Sequence, residues 1–402
     1  MPAAKQEDDM EAVKVAEGLY WVGAIDWDVR YFHGRSYTTD LGTTYNAYLI
    51  VDDKLTLVDT VEGPFFDEML ARIKSVADPS RIEYMIANHA ELDHAGALPR
   101  IMDVVPQATF VCSELGKPAF QATFHRDWNF HTIKEGETLS LGKRTLQFFP
   151  TPMLHWPDSM VTYLAEQKIL LPNDAFGQHL ASSERFDDEV PMDVIMGQAT
   201  KYYANILLPL SNIVQRALTK LSGLKIELIG PSHGIIWRSQ PGHIVDAYAR
   251  WARGETRTKA VVIYDTMWDS TRKMAHAIVE GIGLEGVDAK LHNLSSTHRS
   301  DVMTDVLDAR ALVFGSPTLN NTMFPTLGDF LYYLGGLKPR AQVAAAFGSF
   351  GWGGGAVKAM RKEIEAMGLP LLDEGLEVRY VPDEEALARC VAYGRQIASR
   401  VK

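Results

Sequence analysis

Residues 88–96 read Asn88-His89-Ala90-Glu91-Leu92-Asp93-His94-Ala95-Gly96, a stretch that places two imidazoles and two carboxylates within six residues. It directly follows the apolar run Ile82–Ile86, which is predicted to be a strand. Carboxylates that lose their hydration on burial cost free energy unless a cation neutralises them. The stretch therefore predicts a metal site in a loop at the carboxyl end of a strand.

Three further candidate ligands also follow predicted strands: His155 after residues 144–149, Asp174 after 168–171 and His233 after 226–229. Adjacent strand ends would bring these loops to one point. The full set is His89, Glu91, Asp93, His94, His155, Asp174 and His233. Seven ligands are too many for one tetrahedral zinc, and two metals with open positions are implied if one carboxylate bridges. Ligand type alone allows iron, manganese or zinc.

Each of these residues has a plainer alternative when taken singly. A lone histidine is often a hydrogen-bonded core residue, and Asp174 alone could be a helix cap. The concentration of carboxylates in one short stretch favours the metal site, because it has no structural use without a cation. The remaining histidines considered are assigned to structural roles: His125, His131, His179 and His243.

The composition is that of an ordinary globular protein, with 46% hydrophobic and 23% charged residues in a chain of 402. A formal charge of −11 disfavours nucleic acid as a partner. No run approaches the length of a membrane span, and residues 1–9 read as a short acidic, frayed tail without the apolar core of a secretory signal. We therefore expect a cytoplasmic protein. Its two cysteines, Cys112 and Cys390, argue against a disulfide framework or cysteine-ligated metal.

The chain is expected to form two domains, 1–253 and 259–402, separated by a short polar break. The first mixes short strands with helical segments, such as 65–76 and 95–104, and fits a layered α/β sandwich. In the second, five apolar strands alternate with helices, and Ser270 is predicted to cap the first helix. This rhythm predicts a doubly wound parallel sheet that binds a ligand outside the carboxyl ends of its strands.

Three polar or glycine-rich loops follow strands of this second sheet. The first opens a helix and could hold a phosphate monoester, although alone it would fit an ordinary capped helix. In the third loop Trp352 offers a stacking face to a flat ring, with a core aromatic as the alternative. The candidate cofactor-binding residues are Thr266, Met267, Trp268, Asp269, Ser270, Thr271, Ser316, Pro317, Thr318, Leu319, Asn320, Asn321, Ser349, Phe350, Gly351, Trp352, Gly353 and Gly354.

The pattern His-x-Glu-x-Asp-His, followed by the three later ligands, resembles the metallo-β-lactamase superfamily and specifically its flavodiiron branch. Zinc hydrolases of the superfamily usually carry a second histidine where this chain has Glu91. The resemblance implies an αββα sandwich and a non-haem diiron centre. One iron would be held by His89, Glu91 and His155, and the other by Asp93, His94 and His233, with Asp174 bridging. It also implies that Tyr202 lines the site as a catalytic residue, with Tyr203 as the neighbouring alternative.

The three loops of the second half are similar to those of flavodoxin, which implies FMN as the cofactor. The order of the two domains resembles a flavodiiron protein along nearly the whole chain. Such a protein would reduce dioxygen to water, or nitric oxide to nitrous oxide, with electrons passed through FMN. The absence of a fused Cys-x-x-Cys module implies a separate one-electron donor such as rubredoxin. The resemblance further implies a head-to-tail homodimer, or a dimer of dimers.

Two other functions remain open at this stage. A zinc hydrolase with a flavodoxin-like appendage would contain zinc and hydrolyse a thioester or phosphodiester without needing its flavin. A pure electron carrier would show reversible flavin chemistry and consume neither gas. Glu91 speaks against the first, and the complete ligand set speaks against the second.

Overall fold

The computed structural model describes residues 10–402, and the predicted frayed tail at residues 1–9 lies outside them. The chain divides into two compact units. The first comprises the chain up to Arg30, Thr39–Tyr202 and Asn212–Ala249, and the second comprises Tyr31–Thr38, Tyr203–Ser211 and Arg250–Lys402. Two short segments of the first half thus belong to the second unit. Within residues 10–402 no helix combines the length and the apolar content that a membrane span requires.

The strands, in chain order, are β1 (Val13–Ala16), β2 (Leu19–Trp21), β3 (Ala24–Asp26), β4 (Tyr31–Phe32), β5 (Tyr37–Thr38), β6 (Thr43–Tyr45), β7 (Tyr48–Ile50), β8 (Leu55–Val58), β9 (Ile82–Ile86), β10 (Thr109–Ser113), β11 (Phe130–Ile133), β12 (Thr138–Ser140), β13 (Thr145–Pro150), β14 (Met160–Leu164), β15 (Ile169–Asn173), β16 (Leu228–Pro231), β17 (Arg257–Tyr264), β18 (Asp288–Asn293), β19 (Ala309–Pro317), β20 (Val343–Phe350) and β21 (Leu376–Arg379).

The α-helices are α1 (Phe66–Lys74), α2 (Leu92–Ala95), α3 (Leu98–Val104), α4 (Gly116–Phe124), α5 (Met192–Tyr202), α6 (Ser211–Leu221), α7 (Pro241–Arg253), α8 (Ser270–Leu284), α9 (Arg299–Val306), α10 (Pro325–Leu337), α11 (Ala356–Ala366) and α12 (Glu384–Ser399). Short 3-10 turns occupy Gly63–Phe65, Pro79–Arg81 and Leu208–Leu210, and a π-helical turn occupies Tyr203–Leu207.

The first unit contains two large sheets. One has the strand order β1-β2-β7-β8-β9-β10-β11 and the other runs from β12 to β16. Strands β8 to β11 pair in parallel, as do β15 and β16, so several carboxyl ends point the same way. A core cluster joins side chains of both sheets, for example Tyr48 and Ile86 from the first with Phe148 and Leu171 from the second. The predicted layered sandwich is therefore confirmed.

The second unit contains an all-parallel five-stranded sheet in the order β18-β17-β19-β20-β21. Counted along the chain this is 2-1-3-4-5, the order of a doubly wound flavodoxin-like sheet, as predicted. Its core packs Met274 and Ile278 of α8 and Tyr393 and Ile397 of α12 against the strands. The strand order reverses between β17 and β19, which is where a ligand crevice is expected.

Two local predictions were wrong. The single helix expected over residues 95–104 is divided into α2 and α3, because Pro99 stands in the first turn of α3 and supplies no amide hydrogen to an extended helix. Gly96, between the two helices, leaves no room for a side chain beside Gly63. Ser270 is not a cap, since α8 begins at Ser270 itself and its N-cap residue is Asp269 in a left-handed conformation.

Candidate metal centre and cofactor pocket

All seven candidate ligands lie at strand ends of the first unit. The stretch from His89 to His94 follows β9 and runs into α2, while His155 lies in the loop between β13 and β14. Asp174 directly follows β15, and His233 lies just beyond the parallel neighbour β16. Because these strands end on the same side of the two packed sheets, their loops converge as the sequence predicted.

The seven side chains form two groups, and within each group the potential ligand atoms lie within 4.8 Å of one another. The first group is His89, Glu91, His155 and Asp174, and the second is Asp93, His94 and His233. Ligand atoms held about 2.1 Å from one ion lie roughly 3 Å apart. The spacing within each group therefore fits one metal ion, and the two groups together fit a pair.

Asp174 connects the two groups through its two carboxylate oxygens. Oδ2 lies 3.1 Å from His155 Nε2 and 3.7 Å from His89 Nε2. Oδ1 lies 2.9 Å from His94 Nε2 and 3.6 Å from His233 Nε2. One oxygen therefore faces each group, which is the arrangement that a bridging carboxylate needs.

Several of the donor atoms are buried and lack hydrogen-bond partners among the described residues. Among residues 10–402, this holds for His89 Nε2, Asp93 Oδ1 and Asp174 Oδ2. Buried polar atoms without partners are rare in folded proteins because they lose the free energy of hydration. Their convergence on two points is what a site for two cations requires.

The charges of the histidines and carboxylates also fit a site for two cations. Burial lowers the pKa of His89, but the carboxylates of Asp158 and Glu91 outweigh burial and raise this pKa to about 9. In His155 burial is likewise outweighed, by Asp174 and Glu91, and the pKa rises to about 10. Without metal, protons on the imidazoles are the counter-ions of the carboxylates. Divalent cations would take over that role, so the residues present fit a two-metal site.

Two of the histidines are oriented by hydrogen bonds from the ring nitrogen that faces away from the site. His89 Nδ1 donates to Asp158 Oδ2 at 3.0 Å, and His233 Nδ1 donates to the Thr44 carbonyl at 2.7 Å. Both acceptors fix the tautomer that leaves Nε2 free to bind a metal. His94 differs, since its Nδ1 is buried without a hydrogen-bond partner among residues 10–402. Its ring is therefore less firmly held.

Replacing Asp158 with alanine is expected to weaken iron binding by about 10- to 100-fold, because His89 Nδ1 and the Ala90 amide, 2.7 Å from the same carboxylate oxygen, lose their acceptor. Iron retained per chain after dialysis against a chelator measures the effect. Asp52→Ala is the control, since Asp52 binds Arg144 and contacts none of the candidate ligands. Equal iron retention in Asp158→Ala and the wild type would contradict the orienting role of Asp158.

The second unit has a cavity of about 570 Å³ at the carboxyl ends of its strands. All three predicted loops contribute to it. The lining residues are Met267, Trp268, Ser270, Pro317, Thr318, Asn320, Asn321, Ser349, Phe350, Gly351, Trp352, Gly353, Tyr380 and Val381. Two of these, Tyr380 and Val381, were not predicted. They follow β21, so the rule that identified the other loops would also have found this fourth one.

Six predicted residues do not line the cavity: Thr266, Asp269, Thr271, Ser316, Leu319 and Gly354. Several of them shape the loops instead. Thr271 and Ser349 hydroxyls are hydrogen-bonded at 2.9 Å, which ties the first loop to the third. Ser316 Oγ accepts a hydrogen bond from the Phe324 amide at 2.8 Å. Thr266 Oγ1 is buried and has no hydrogen-bond partner in the described part of the chain.

The cavity fits a flat ring that carries a phosphate. Trp352 and Trp268 are 92% and 83% exposed, so the alternative that Trp352 is a core aromatic is excluded. A Cβ at Gly353 would have one neighbour within 4 Å, Asn321 Oδ1 at 4.0 Å, so without a side chain this backbone can approach a ring closely. The amino end of α8 begins at Ser270, in the wall of the cavity, and presents unpaired amide groups to an anion.

Replacing Trp352 with alanine is expected to weaken FMN binding by about 2- to 10-fold, because an aromatic stack contributes about 0.5–1.5 kcal/mol. Flavin fluorescence titration of the flavin-free protein measures this change. The free energy of unfolding should stay the same, since the side chain is almost fully exposed. Trp27→Ala, at another exposed tryptophan outside the cavity, should leave FMN affinity unchanged. An unaltered affinity in Trp352→Ala would exclude stacking by this residue.

Comparison with known proteins extends over both units. Residues 43–234 match the family model described as ODP family beta lactamase, and residues 262–394 match that of flavodoxin. The chain is 51% identical to a nitric oxide reductase of Moorella thermoacetica over 395 residues, which cover 97% of this chain and 99% of that protein. It is 42% identical to a rubredoxin-oxygen oxidoreductase of Megalodesulfovibrio gigas, with 98% and 99% covered.

Solved structures give the same result. The flavodiiron protein from Giardia intestinalis matches with a TM-score of 0.95 at 36% identity, covering 100% of this chain and 98% of that one. Rubredoxin oxygen:oxidoreductase from Desulfovibrio gigas matches with a TM-score of 0.94 at 41% identity, covering 97% and 98%.

The chain belongs to the flavodiiron protein family. Membership confirms the predicted fold, a metallo-β-lactamase-like sandwich followed by a flavodoxin-like sheet, and makes the protein an oxidoreductase. It also confirms the predicted cofactors, FMN and a pair of non-haem irons. The two groups of donor atoms and the cavity are the places in this flavodiiron protein that fit them.

The aromatic surroundings of the diiron site separate Tyr202 from its neighbour. Tyr202 is buried, and its ring centroid lies 6.4 Å from that of His233. The Tyr203 hydroxyl instead lies 3.2 Å from Ser211 Oγ, and Tyr203 belongs to the second unit. Of these two residues, only Tyr202 stands beside the candidate ligands.

His179 also lies beside the diiron site, although the sequence placed it among the structural histidines. Its ring centroid is 4.7 Å from that of His233 and 5.3 Å from that of Tyr202, and its Nδ1 is hydrogen-bonded to Thr43 Oγ1 at 2.9 Å. Asp158 was missed as well. Neither residue carried a usable signal, because His179 stands alone in its loop and the partners of both come from distant parts of the chain.

Proposed function

We propose that the protein reduces dioxygen to water, nitric oxide to nitrous oxide, or both, at its diiron centre, with electrons passed through FMN from a separate donor such as rubredoxin. The observation that carries the proposal is Asp174, whose two oxygens each face one group of buried donors in a chain that also has a flavin-type cavity. The relatives named nitric oxide reductase and rubredoxin-oxygen oxidoreductase support both substrates.

The proposed ligand assignment gives one iron His89, Glu91 and His155 and the other Asp93, His94 and His233, with Asp174 bridging. The short distances within each group support it, such as 3.3 Å between His155 Nε2 and Glu91 Oε2 and 3.1 Å between His233 Nε2 and Asp93 Oδ2. Three carboxylates against two ferrous ions would leave a net charge of only about +1, which suits a buried site.

Tyr202 is proposed as the catalytic side chain beside the metals. Burial and then the nearby charge of Asp174 hold the pKa of Tyr202 well above its ordinary value, so the hydroxyl keeps its proton and can donate a hydrogen bond. When bound, FMN exchanges electrons one or two at a time and the iron pair binds and reduces the gas. Reduction of dioxygen to two waters consumes four electrons and four protons, whereas two nitric oxide molecules need two of each.

We propose a head-to-tail homodimer, or a dimer of two such dimers, as the working assembly. Beside the diiron ligands, Leu92, Met153 and Trp156 are exposed apolar side chains. At the flavin cavity the exposed Trp268 and Trp352 are a second apolar surface. A second copy of the chain, turned head to tail, would cover one surface with the other and bring FMN of one chain near the irons of its partner.

A cytoplasmic location and two domains, 1–253 and 259–402, are part of the same proposal, although the second compact unit begins at Arg250 and also includes Tyr31–Thr38 and Tyr203–Ser211. The boundary is supported by the family matches, which end at residue 234 and resume at 262. The relative named rubredoxin-oxygen oxidoreductase supports a rubredoxin-type electron donor.

The test is an anaerobic assay in which the reduced protein meets dioxygen and nitric oxide in parallel, with iron and FMN counted on the same sample. Two irons and one FMN per chain with consumption of at least one gas are expected. Zinc in place of iron with hydrolysis of a thioester or phosphodiester would indicate the hydrolase instead. Reversible flavin reduction without consumption of either gas would indicate a pure electron carrier.

A further inference from the structure

Asp59 follows β8 and is not among the candidate ligands, yet it lies beneath the metal site. The residue is buried, with 3% of its surface exposed. Oδ1 accepts a hydrogen bond from the Asn88 amide at 2.7 Å, and Oδ2 accepts from Asn88 Nδ2 at 2.9 Å and from Asn173 Nδ2 at 3.3 Å. A buried carboxylate is thus fully engaged by two asparagines.

The positions of these asparagines give the contacts their meaning. Asn88 immediately precedes His89, and Asn173 immediately precedes Asp174. The first follows β9 in the seven-stranded sheet, whereas the second ends β15 in the five-stranded sheet. Asp59 therefore connects the two sheets through Asn88 and Asn173, the residues that directly precede His89 and the proposed bridging ligand Asp174.

The next residue, Thr60, holds a third ligand position. Its amide and its hydroxyl both donate to the carbonyl of His94, at 3.0 and 2.5 Å. This contact matters because the ring Nδ1 of His94 has no hydrogen-bond partner among residues 10–402, so these two bonds fix His94 through its backbone. We call residues 59 and 60 the Asp59–Thr60 corner.

We infer that the Asp59–Thr60 corner is a positioning device for the two-metal site, which sets the separation of His89, His94 and Asp174 and so the spacing of the two irons. The inference rests on the proposed diiron function. Hydrogen bonds to an ionised carboxylate are short and directional, so they can hold two loops from different sheets in register. Ligands whose positions shift by a fraction of an ångström no longer have the geometry that the two metal ions require.

The first test compares Asp59→Asn with Asp187→Asn. Asp187 is a matched control, because it is equally buried and accepts three backbone hydrogen bonds at 2.8–2.9 Å, from residues 238–240. In Asp59→Asn the new NH2 group would replace Oδ2 and face the side-chain NH2 groups of Asn88 and Asn173, so hydrogen-bond donors would face each other without an acceptor. Iron release to a chelator should become about 10- to 100-fold faster than in the wild type. The Mössbauer spectrum of the iron that remains bound should also change, because it reports the geometry of the iron ligands. Overall destabilisation of the fold would not change this spectrum.

Two further variants sharpen the test. Adding Asn88→Asp to Asp59→Asn places a carboxylate at position 88 opposite the amide at position 59, so a donor again faces an acceptor. Iron release should then be slower than in the single variant. If Asp59→Asn does not fold, Thr60→Val removes one donor to the His94 carbonyl and should still speed iron release. Thr56→Val is its control, since Thr56 is equally buried and its hydroxyl donates only to Lys54, away from the ligands.

The inference is overturned if Asp59→Asn releases iron at the wild-type rate, or if Asp187→Asn speeds release as much. Lack of recovery in the double variant, or equal release from Thr60→Val and Thr56→Val, also overturns it. A wild-type protein that binds no iron would contradict the proposed diiron function and overturn this inference with it. Two irons in the wild type with unaltered release from Asp59→Asn would overturn this inference alone.

Discussion

Replacing Asp174 with alanine is expected to remove iron and abolish gas reduction while FMN stays bound. Asp174 has one oxygen facing each donor group, so its loss would leave both ions short of a ligand and remove the negative charge between the imidazoles of His94 and His155. Substitutions that only orient ligands cost about 10- to 100-fold. Loss of a bridging ligand should exceed this range, and turnover should fall below about one hundredth of the wild-type value.

The measurements are iron per chain, FMN per chain and consumption of dioxygen and nitric oxide on one sample. Asp188→Ala is the control, because this nearby aspartate is exposed and pairs with Arg238. It should keep both irons and full activity. Full turnover by an iron-free Asp174→Ala would exclude the diiron mechanism, and loss of FMN together with iron would mean that the substitution had unfolded the chain.

Removal of FMN is expected to have the second largest effect. The flavin cavity and the metal site belong to different compact units, and none of the cavity residues is a candidate metal ligand. Flavin-free protein should therefore keep both irons, whereas turnover supported by reduced rubredoxin should fall by at least about 100-fold, because electrons reach the irons through the flavin. Adding FMN back should restore the rate.

The control for this experiment is chemical reduction of the flavin-free protein before it meets the gas. A single round of nitric oxide reduction should then survive, since two ferrous ions would supply the two electrons that two nitric oxide molecules need, whereas full reduction of dioxygen to water needs four. Unchanged rubredoxin-supported turnover without FMN would exclude flavin as the electron entry site. Loss of iron together with the flavin would instead point to coupled unfolding of the two units.

Much of the site was predictable because its ligands are marked locally. The stretch from His89 to His94 is dense in metal-binding side chains, and His155, Asp174 and His233 each follow an apolar run at the same kind of place. Parallel strands also reveal their ligand loops from the sequence alone, since the loops must meet at the carboxyl edge of the sheet. The loop of Tyr380 and Val381, after the last of the five strands, was missed because the rule was applied to only three of them.

Other features were beyond the sequence because they depend on pairs of residues far apart in the chain. Asp158 reaches back 69 positions to His89, and Asp59 reaches forward 114 positions to Asn173. A lone aspartate before a serine or threonine looks the same in sequence whether it caps a turn or orients a ligand. The division of one expected helix into α2 and α3 is a smaller case, in which Pro99 and the close approach of Gly96 to Gly63 override helical periodicity.

The sequence by itself predicted two metals, because seven candidate ligands are too many for one tetrahedral zinc. Its resemblance to flavodoxin in three loops after parallel strands implied the flavin, and Glu91 favoured iron over zinc. Only the tertiary structure decided the distances within the two groups of ligands, which oxygen of Asp174 faces which group, and that Asp59 contacts both Asn88 and Asn173. Those relations exist only once two sheets pack face to face, since packing sets the distances between loops that the chain itself leaves free.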